Sequence, residues 1–287
     1  MNNGVIIKAM SGFYYVKTDS QILTCKARGK FKHEGMSPLV GDRVCVSDDG
    51  LIVDVLERIN SFIRPAVANI DLLVFVASNT IPVTDPFLID RVGIIAQSNN
   101  CDFAVCINKS DIDYADYLFD IYSNSGLNVV RTSAETGEGL PELKQILSGK
   151  ISAFTGNSGV GKSSILNSLI PDACIETADV SSKLGRGKHI TRHVEFFALD
   201  DNTFIADTPG FASFDIDMMN EITLEQLPNL FPDFLPYLNG CRFNDCQHIN
   251  EPGCILKDAV NNGKVQITRY ESYLKLYDII KNHKSWD

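Results

Sequence analysis

The chain has 287 residues, of which 44% are hydrophobic and 22% are charged, which excludes extensive disorder and favours two or three domains. Its net charge of −10 is concentrated in residues 64–240, which carry −12, whereas residues 1–63 and 241–287 each carry +1. The first residues lack the features of a signal peptide, and no apolar run approaches the roughly 20 residues that span a bilayer. We therefore expect a cytoplasmic protein whose eight cysteines are thiols or metal ligands.

Five short β-rich segments lie between Gly4 and Glu57 and are separated by turn signals such as Asp48-Asp49-Gly50. This spacing predicts a small antiparallel barrel, and an OB-like barrel is the first of several options. One barrel loop, KARGKFKHEG, combines basic residues with Phe31. Phosphate neutralisation beside an aromatic stacking surface favours RNA binding, whereas the alternative is a solvated loop. The candidate RNA-binding residues are Lys26, Arg28, Lys30 and Lys32.

Strands that alternate with helices follow the barrel and predict a parallel α/β sheet. Between the apolar runs DLLVFVAS and CDFAVCIN lies a helical pattern with Asp85 as N-cap and Pro86 at its first position. Further strands are predicted at ISAFTG, HVEFFAL and TFIADT, and helices at VGKSSILNSLI, TLEQLPNLF and QITRYESYLKLYDIIKNHK. The last helix is predicted to be amphipathic, with Ile267, Tyr270, Tyr273, Leu274 and Tyr277 near one side.

The segment GNSGVGKS matches G-x-x-x-x-G-K-[ST], the phosphate-binding loop. Its glycines let backbone N–H groups converge on phosphates, Lys162 neutralises β- and γ-phosphate oxygens, and Ser163 offers an oxygen to Mg²⁺. The helix that follows points its positive end at the same anion. The predicted nucleotide contacts are Gly156, Asn157, Ser158, Gly159, Val160, Gly161, Lys162, Ser163 and Ser164.

The segment NKSD at Asn108–Asp111 has the Asn-Lys-x-Asp pattern with which GTPases bind guanine. Asp111 would accept the N1–H and N2–H donors of guanine, the Lys109 stem would cover the base, and Asn108 would contact N7 or brace the loops. The backbone N–H groups of Ser133 and Ala134 are suited to the O6 acceptor. Adenine reverses the donor and acceptor pattern at this edge, so a buried acceptor at Asp111 disfavours it.

A third motif, IADTPG, supplies Asp207 and Gly210 as in the D-x-x-G of GTPases, where they serve Mg²⁺ and the γ-phosphate. The order of guanine motif, Ser-Ala, phosphate loop and Asp-Thr-Pro-Gly resembles that of a circularly permuted GTPase. With a barrel before it and a Cys/His segment behind it, the chain resembles the ribosome small subunit-dependent GTPase A family over essentially its whole length. The resemblance implies GTP and GDP as ligands and the 30S subunit with its 16S rRNA as partner.

The resemblance also implies a switch threonine that closes over Mg²⁺ and the γ-phosphate. Paired threonines of the family correspond here to Ile190 and Thr191, so Thr191 is the candidate Mg²⁺ ligand beside Ser163. Phe211 stands where many GTPases place a water-positioning glutamine, and an apolar side chain cannot orient water. We therefore expect slow intrinsic turnover that a partner accelerates, with His189 or His193 as local helpers. The catalytic candidates are Lys162, Ser163, Thr191 and Asp207.

The segment CRFNDCQHINEPGC holds Cys241, Cys246, His248 and Cys254, a closed Cys3His set typical of structural zinc sites. Zinc would stabilise a segment of roughly 60 residues that has little core of its own. The other four cysteines, Cys25, Cys45, Cys101 and Cys106, lie in apolar strands and are expected to be core residues.

These patterns predict three domains: an OB-like β-barrel (1–63), a permuted α/β GTPase (64–220) and a zinc-binding helical domain (221–287). The predicted function is hydrolysis of GTP to GDP and phosphate on the 30S subunit late in its maturation, by a monomer. Two alternatives stay open at this point. One is a P-loop ATPase or kinase, and the other is a zinc and RNA-binding module that does not depend on nucleotide.

Overall fold

The computed structural model describes residues 2–33, 35–63, 66–170, 194–207, 219 and 221–283, and the side chains at positions 32, 33, 63, 207 and 283 lie outside this description. The chain divides into two compact units. The first comprises Met1–Val74, Lys144–Gly156 and Lys162–Ser213, and the second comprises Phe75–Leu143, Asn157–Gly161 and Phe214–Asp287. The finer division into three domains stays a prediction.

The first unit begins with the predicted five-stranded barrel. Its strands are β1 (Asn2–Met10), β2 (Phe13–Lys17), β3 (Ile22–Ala27), β4 (Arg43–Val46) and β5 (Leu51–Val55), and the short helix α1 (Lys30–His33) lies between β3 and β4. Neighbouring strands pair in the closed order β1–β2–β3–β5–β4–β1. The pair β3–β5 is parallel, so the prediction of a purely antiparallel barrel is wrong in this detail, while the OB-like fold is confirmed. The crossover needed for that pair passes through α1.

The second part of the first unit extends the barrel into a larger sheet. It contains the hairpin of β6 (Ser61–Ile63) and β7 (Ala66–Ala68), the start of β8 (Leu72–Ser78), and the strands β11 (Ile151–Thr155), β12 (Glu195–Ala198) and β13 (Phe204–Asp207). The sheet order runs β8–β11–β13–β12–β1. Strands β11 and β13 are parallel, whereas β12 is antiparallel to β13 and to β1. At the last junction Lys8 pairs with Glu195 at 2.8 Å.

The second unit carries the rest of the α/β layer. Helix α2 (Pro86–Ser98) starts as predicted, because the Asp85 side chain accepts a hydrogen bond from the Phe87 N–H at 2.9 Å. Strand β9 (Asp102–Asn108) is parallel to β10 (Asn128–Arg131), and helix α3 (Asp116–Tyr122) connects them. Helix α4 (Leu140–Leu147) begins in the second unit and ends in the first, and helix α5 (Lys162–Leu169) belongs to the first unit; they precede and follow β11 along the chain.

The C-terminal part of the second unit holds two short 3-10 turns, Leu227–Leu230 and Leu235–Tyr237, and the helices α6 (Ile255–Asn261) and α7 (Ile267–His283). The predicted helix at TLEQLPNLF is thus reduced to a 3-10 turn that contains Pro228. The long C-terminal helix α7 forms as predicted. Its buried face differs from the predicted one, since Ile267 is 55% exposed whereas Arg269 is 3% exposed. In the described part of the chain, no helix combines the length and apolar character needed to cross a membrane.

Helix α7 is fixed to helix α2 by a buried ion-pair network. The Arg269 guanidinium donates to Asp90 on α2 and, through Nη2 at 2.6 Å and Nε at 3.2 Å, to both carboxylate oxygens of Asp233. The Tyr122 hydroxyl donates to the same Asp90 oxygen at 3.1 Å. One arginine thus balances two buried carboxylates, and removal of any member would leave a charge unpaired.

Candidate nucleotide site and metal centre

The phosphate-loop sequence lies between strand β11 and helix α5, the context that this motif requires. Its residues Gly156, Gly159 and Gly161 have positive φ angles of 137°, 82° and 96°, which other residues rarely adopt. A Cβ atom at Gly161 would lie 2.2 Å from the Asn108 side-chain nitrogen. Glycine is therefore required here both by the backbone turn and by the close approach of a neighbouring side chain.

Helix α5 begins at Lys162, and Ser163 and Ser164 follow in its first turn. The Lys162 ammonium donates a hydrogen bond of 2.6 Å to the Gly156 carbonyl at the start of the loop. Burial lowers the pKa of Lys162. The lysine thus folds back over its own loop, where it is placed to neutralise an anion held by the loop's N–H groups.

The guanine-motif sequence follows directly from strand β9, whose last residue is Asn108. The buried Asn108 amide donates to the Val160 carbonyl of the phosphate loop at 2.9 Å. Its oxygen accepts from the Ala134 N–H at 3.2 Å and the Thr132 hydroxyl at 3.3 Å. Of the two roles predicted for Asn108, the structure therefore shows bracing, because one side chain joins the guanine motif, the Ser-Ala loop and the phosphate loop.

The other predicted base-binding residues are gathered around the same turn. The Ser133 hydroxyl donates to the Asp111 carboxylate at 2.6 Å, and the Ser110 hydroxyl donates to Glu138 at 3.1 Å. Lys109 has a φ angle of 69°, and its ammonium donates to the Ile81 carbonyl at 2.8 Å. Asp111 is thus oriented by a buried serine, and Lys109 is held by a loop that the sequence reasoning did not consider.

That loop follows strand β8 and is closed at its base by Ser78 and Thr84. The Ser78 N–H donates to the Thr84 hydroxyl, and the Thr84 N–H donates to the Ser78 carbonyl, both at 2.9 Å. At its far side, Pro82 lies 3.4 Å from the position of a Cβ atom at Gly159. Residues 79–83 therefore contact both the phosphate loop and the guanine motif. The only signal for this loop in the sequence was the turn composition of SNTIPVT.

Several predicted nucleotide residues lie partly or wholly outside the described residues. Asp207 is the last residue of β13, and its backbone pairs with that of Glu195 in the sheet. Its side chain is not among the described side chains. Thr191, Gly210, Phe211, His189 and His193 also lie outside the described residues. Their predicted roles at Mg²⁺ and the γ-phosphate stay predictions.

The four residues of the predicted metal site converge. Ligand atoms of Cys241, Cys246, His248 and Cys254 lie within 4.8 Å of one another. His248 Nδ1 is 3.3 Å from the Cys254 sulfur, 3.6 Å from that of Cys246 and 3.7 Å from that of Cys241. A tetrahedral Zn²⁺ would separate such N and S ligands by about 3.5–3.6 Å. The donor set and its spacing therefore fit a metal ion of this kind.

Residues around this metal loop hold its backbone. The Glu251 carboxylate accepts hydrogen bonds from the N–H groups of Gln247, Ile249 and Asn250 at 2.8–3.0 Å. From helix α7, the Tyr270 hydroxyl donates to the His248 carbonyl and the Tyr273 hydroxyl donates to the Gln247 carbonyl, both at 2.7 Å. The loop is thus organised by contacts that do not depend on the ligand side chains.

Protonation of the cluster is also set by burial. Burial lowers the pKa of His248, so the ring is neutral at pH 7, the form that binds a metal. Burial raises the pKa of Cys254, and it raises that of Cys246 to about 12. Metal binding must therefore displace thiol protons and becomes weaker as the pH falls.

The basic loop of the barrel is only partly as predicted. Lys26, Arg28 and Lys30 are exposed, whereas the Lys32 side chain lies outside the description. Phe31 is 3% exposed, so its predicted role as a stacking surface is wrong. An exposed aromatic ring is instead supplied by Phe13, with the Lys26 ammonium 4.9 Å from its centroid.

Comparisons with known protein families match about three quarters of the sequence. Residues 55–217 match the RsgA GTPase family, and residues 3–51 match the RsgA N-terminal domain family. A relative from Caldanaerobacter subterraneus, the "Small ribosomal subunit biogenesis GTPase RsgA", is 42% identical over 97% of this chain and 95% of the relative. A relative of the same name from Alkaliphilus metalliredigens is 40% identical over the full length of both chains.

Solved structures give the same result at the level of the fold. The crystal structure of YjeQ from Thermotoga maritima is 35% identical, covers 97% of this chain and 98% of its own, and superposes with a TM-score of 0.81. The structure of YloQ, described as a circularly permuted GTPase, is 34% identical over 99% of this chain and 96% of its own, also with a TM-score of 0.81.

Proposed function

Because the chain belongs to the RsgA GTPase family and is a GTP hydrolase, we propose that it binds the small ribosomal subunit and acts late in its maturation. Binding as the GTP form and release after hydrolysis would make the protein a checkpoint. The name shared by its relatives, small ribosomal subunit biogenesis GTPase, supports this proposal. We further propose that the protein works as a monomer in the cytoplasm.

The observation that carries the nucleotide proposal is the position of Asn108. Its side chain binds the Val160 carbonyl and the Ala134 N–H. The phosphate loop and the Ser-Ala loop, which are far apart along the permuted chain, are thereby both hydrogen-bonded to one residue of the guanine motif. A ribosome-binding protein that did not use guanine nucleotide would have no need for this connection.

The chain's own residues would share the work of binding GTP. Lys162 and the N–H groups of Gly156–Ser164 bind the phosphates. Asp111, oriented by Ser133, would accept the two donors of guanine. The Ala134 N–H donates to Asn108 and the Ser133 N–H to the Glu138 carbonyl, so donation to O6 would require these N–H groups to exchange or share their present acceptors. Ser163 and Thr191 would hold Mg²⁺ directly, Asp207 would hold it through water, and Gly210 would contact the γ-phosphate.

Water then attacks the γ-phosphorus in line, and GDP leaves. When bound, Mg²⁺ supplies positive charge that offsets the charge developing on the phosphate oxygens. The chain offers Phe211 where a water-positioning glutamine is common, so we propose that turnover is slow until the small subunit orients the reacting groups.

Two further parts of the proposal concern the domains that flank the GTPase. The Cys3His cluster would hold one structural Zn²⁺, since four protein ligands leave no open position for a substrate. Lys26, Arg28, Lys30 and Lys32 would bind phosphates of 16S rRNA, and their effect should depend on salt. Residues 64–240, whose net charge is −12, would be repelled from rRNA. This repulsion would orient the docked protein.

The deciding experiment measures GTP turnover by the purified protein with and without purified 30S subunits. We expect slow hydrolysis alone and acceleration by the subunit. Fast hydrolysis in isolation would refute the role of Phe211, and no acceleration would refute the ribosomal role. A P-loop ATPase or kinase would instead bind ATP more tightly than GTP. A nucleotide-independent RNA-binding module would associate equally with 30S subunits in GDP, in GTP and as the Lys162→Ala variant.

The permuted order has a consequence for signalling. The segment after Asp207 leads directly to the metal-bearing C-terminal part, so we propose that the nucleotide state is transmitted along this covalent connection. Measured distances between the metal loop and the barrel, on and off the ribosome, should then differ between the GTP and GDP forms. Identical placements would exclude the idea.

A further inference from the structure

The most exposed large apolar side chains of the described chain lie together beside the guanine motif. Ile81 is 88% exposed, Ile112 is 69% exposed and Val83 is 62% exposed, and no other large apolar side chain in the described residues is as exposed as these three. Tyr114 and Tyr117, more than half exposed, lie in the same segment as Ile112. We call these five residues the base-side patch.

Two hydrogen bonds show that the two segments of the base-side patch are neighbours. Lys109 Nζ donates to the Ile81 carbonyl at 2.8 Å, and the Asn79 side chain donates to Asp113 at 3.0 Å. The loop of Ile81 and Val83 therefore lies against the turn of Ile112. Scattered exposed apolar residues need no explanation, but apolar residues grouped in this way mark an interaction surface.

The charges around the patch select the kind of partner. Asp111, Asp113, Asp116 and Asp120 are exposed in the same stretch. Its one basic residue, Lys109, is bound to the Ile81 carbonyl, and the neighbouring Arg131 is bound to Asp116 at 2.7 Å. Four carboxylates outweigh these two cations, so the described stretch 109–120 together with Arg131 has a net charge of −2. A surface of net negative charge repels RNA phosphates and attracts lysine and arginine side chains.

We propose that the base-side patch docks on a basic protein of the small ribosomal subunit, not on rRNA. The proposal rests on the function proposed above, which supplies the subunit as partner. Proteins that bind rRNA carry surplus positive charge, so the subunit offers apolar groups within basic surroundings. The barrel would contact RNA, and the base-side patch would contact protein.

The same contacts connect docking to the nucleotide. Ile81 holds Lys109 through its carbonyl, and Pro82 lies against Gly159 of the phosphate loop. A partner that contacts this loop therefore acts on residues that touch both nucleotide motifs. Docking is expected to change the rate at which bound guanine nucleotide dissociates.

The test uses the full chain with Val83→Ser and Tyr117→Ser together, which leaves the nucleotide motifs intact. Affinity is measured for 30S subunits and for deproteinised 16S rRNA, in the presence of a non-hydrolysable GTP analogue. The double variant should bind 30S subunits about tenfold more weakly or worse and should bind the free rRNA as the wild type does. The control, Ile267→Ser with Leu235→Ser, removes apolar side chains that are 55% and 49% exposed elsewhere and should bind both targets normally.

Three outcomes would overturn the proposal. Equal binding of the double variant and the wild type to 30S subunits would show that the patch is not used. An equal loss on deproteinised rRNA would assign it to RNA, and an equal loss in the control would make the effect nonspecific. If the wild type itself fails to bind 30S subunits, the proposed function fails as well, so the two failures are distinguishable.

Discussion

Replacement of Arg269 by methionine should strongly destabilise the protein. The arginine is 4% exposed and is bound to Asp90, which is fully buried, and to Asp233, which is also 4% exposed. Methionine keeps most of the packing volume but leaves two buried carboxylates without a cation. Breaking a buried ion pair in this way costs about 3–5 kcal/mol. At about 2–4 °C per kcal/mol for a unit of this size, the melting temperature should fall by roughly 6–20 °C.

The pH dependence of this loss follows from the direction of the Asp90 pKa. Burial raises the pKa of Asp90, while Arg269 works to lower it. A carboxyl whose pKa is higher in the folded than in the unfolded state stabilises the fold at a pH below its unfolded-state pKa. This stabilisation is lost as the pH rises through the folded-state pKa. Removal of Arg269 raises the pKa of Asp90 further, so the deficit of the variant relative to wild type should be smaller at pH 5 than at pH 7.5.

Thermal unfolding, followed by circular dichroism at fixed protein and metal concentrations, measures both effects. Lys275→Met removes an exposed cation from the same helix and controls for the loss of a positive charge. Asp233→Asn added to Arg269→Met should recover part of the loss, because one uncompensated carboxylate disappears. A loss below about 1 kcal/mol, the size expected of an exposed pair, or a deficit that grows at low pH would refute the reasoning.

Three further predictions concern the nucleotide and metal sites. Gly161→Ala should weaken GDP binding about tenfold or more, because strain at positive φ adds to a Cβ contact of 2.2 Å; calorimetry should show no loss for Gly149→Ala, where φ is +72° in open space. The Asp111→Asn variant should bind GTP about 10- to 100-fold more weakly and should gain affinity for XTP, whose C2 carbonyl accepts a hydrogen bond from the new amide. The control variant Asp120→Asn should show neither change. If Asp111→Asn still preferred GTP, the role of Asp111 would be contradicted. Glu251→Gln should lower the Zn²⁺ affinity, measured in competition with a chelating dye, about 10- to 100-fold. The control variant Glu271→Gln, at an exposed position, should bind Zn²⁺ as the wild type does. Unchanged affinity of Glu251→Gln would show that the metal loop is organised without Glu251.

Local patterns predicted most elements whose signal lay within one segment, with the helix at TLEQLPNLF as an exception. The Asp85 cap, the strand before the phosphate loop and the five barrel strands all follow from residues that are neighbours in sequence. The parallel pair β3–β5 and the junction of β12 with β1 did not follow. Such pairings depend on contacts between distant residues, and the strand patterns do not specify a partner.

One error and one omission have a common physical cause. Phe31 was grouped with the basic residues around it in sequence, but its side chain is buried, at 3% exposure. Nothing in the sequence pattern of α7 singled out Arg269, yet it is buried because two acidic residues from elsewhere in the chain pair with it. In both cases the side chain's environment is supplied by residues that are remote in sequence.

The candidate site was more predictable than the packing around it, because its motifs encode chemistry directly. The sequence identified the phosphate loop, the guanine motif and the four candidate metal-binding residues, and the structure brings those four residues together. It did not identify the loop of residues 79–83 or Glu251. The loop acts through the Ile81 carbonyl, and the Glu251 carboxylate accepts from three backbone N–H groups. Each contact has a backbone group on one side, and a backbone group leaves no trace in residue identity.

The buried network also limits how a nucleotide signal could reach the C-terminal part. Helix α7 contacts the metal loop through Tyr270 and Tyr273 and contacts α2 through Arg269. The metal loop, α7 and α2 are therefore tied together. Moving the metal loop relative to α2 would require breaking either the two tyrosine hydrogen bonds or the buried ion pair, the latter at about 3–5 kcal/mol. A ligand shifts an equilibrium only by its differential affinity for the two states. A signal passed along the chain after Asp207 is consequently expected to move α2, α7 and the metal loop as one body, because that motion leaves the network intact.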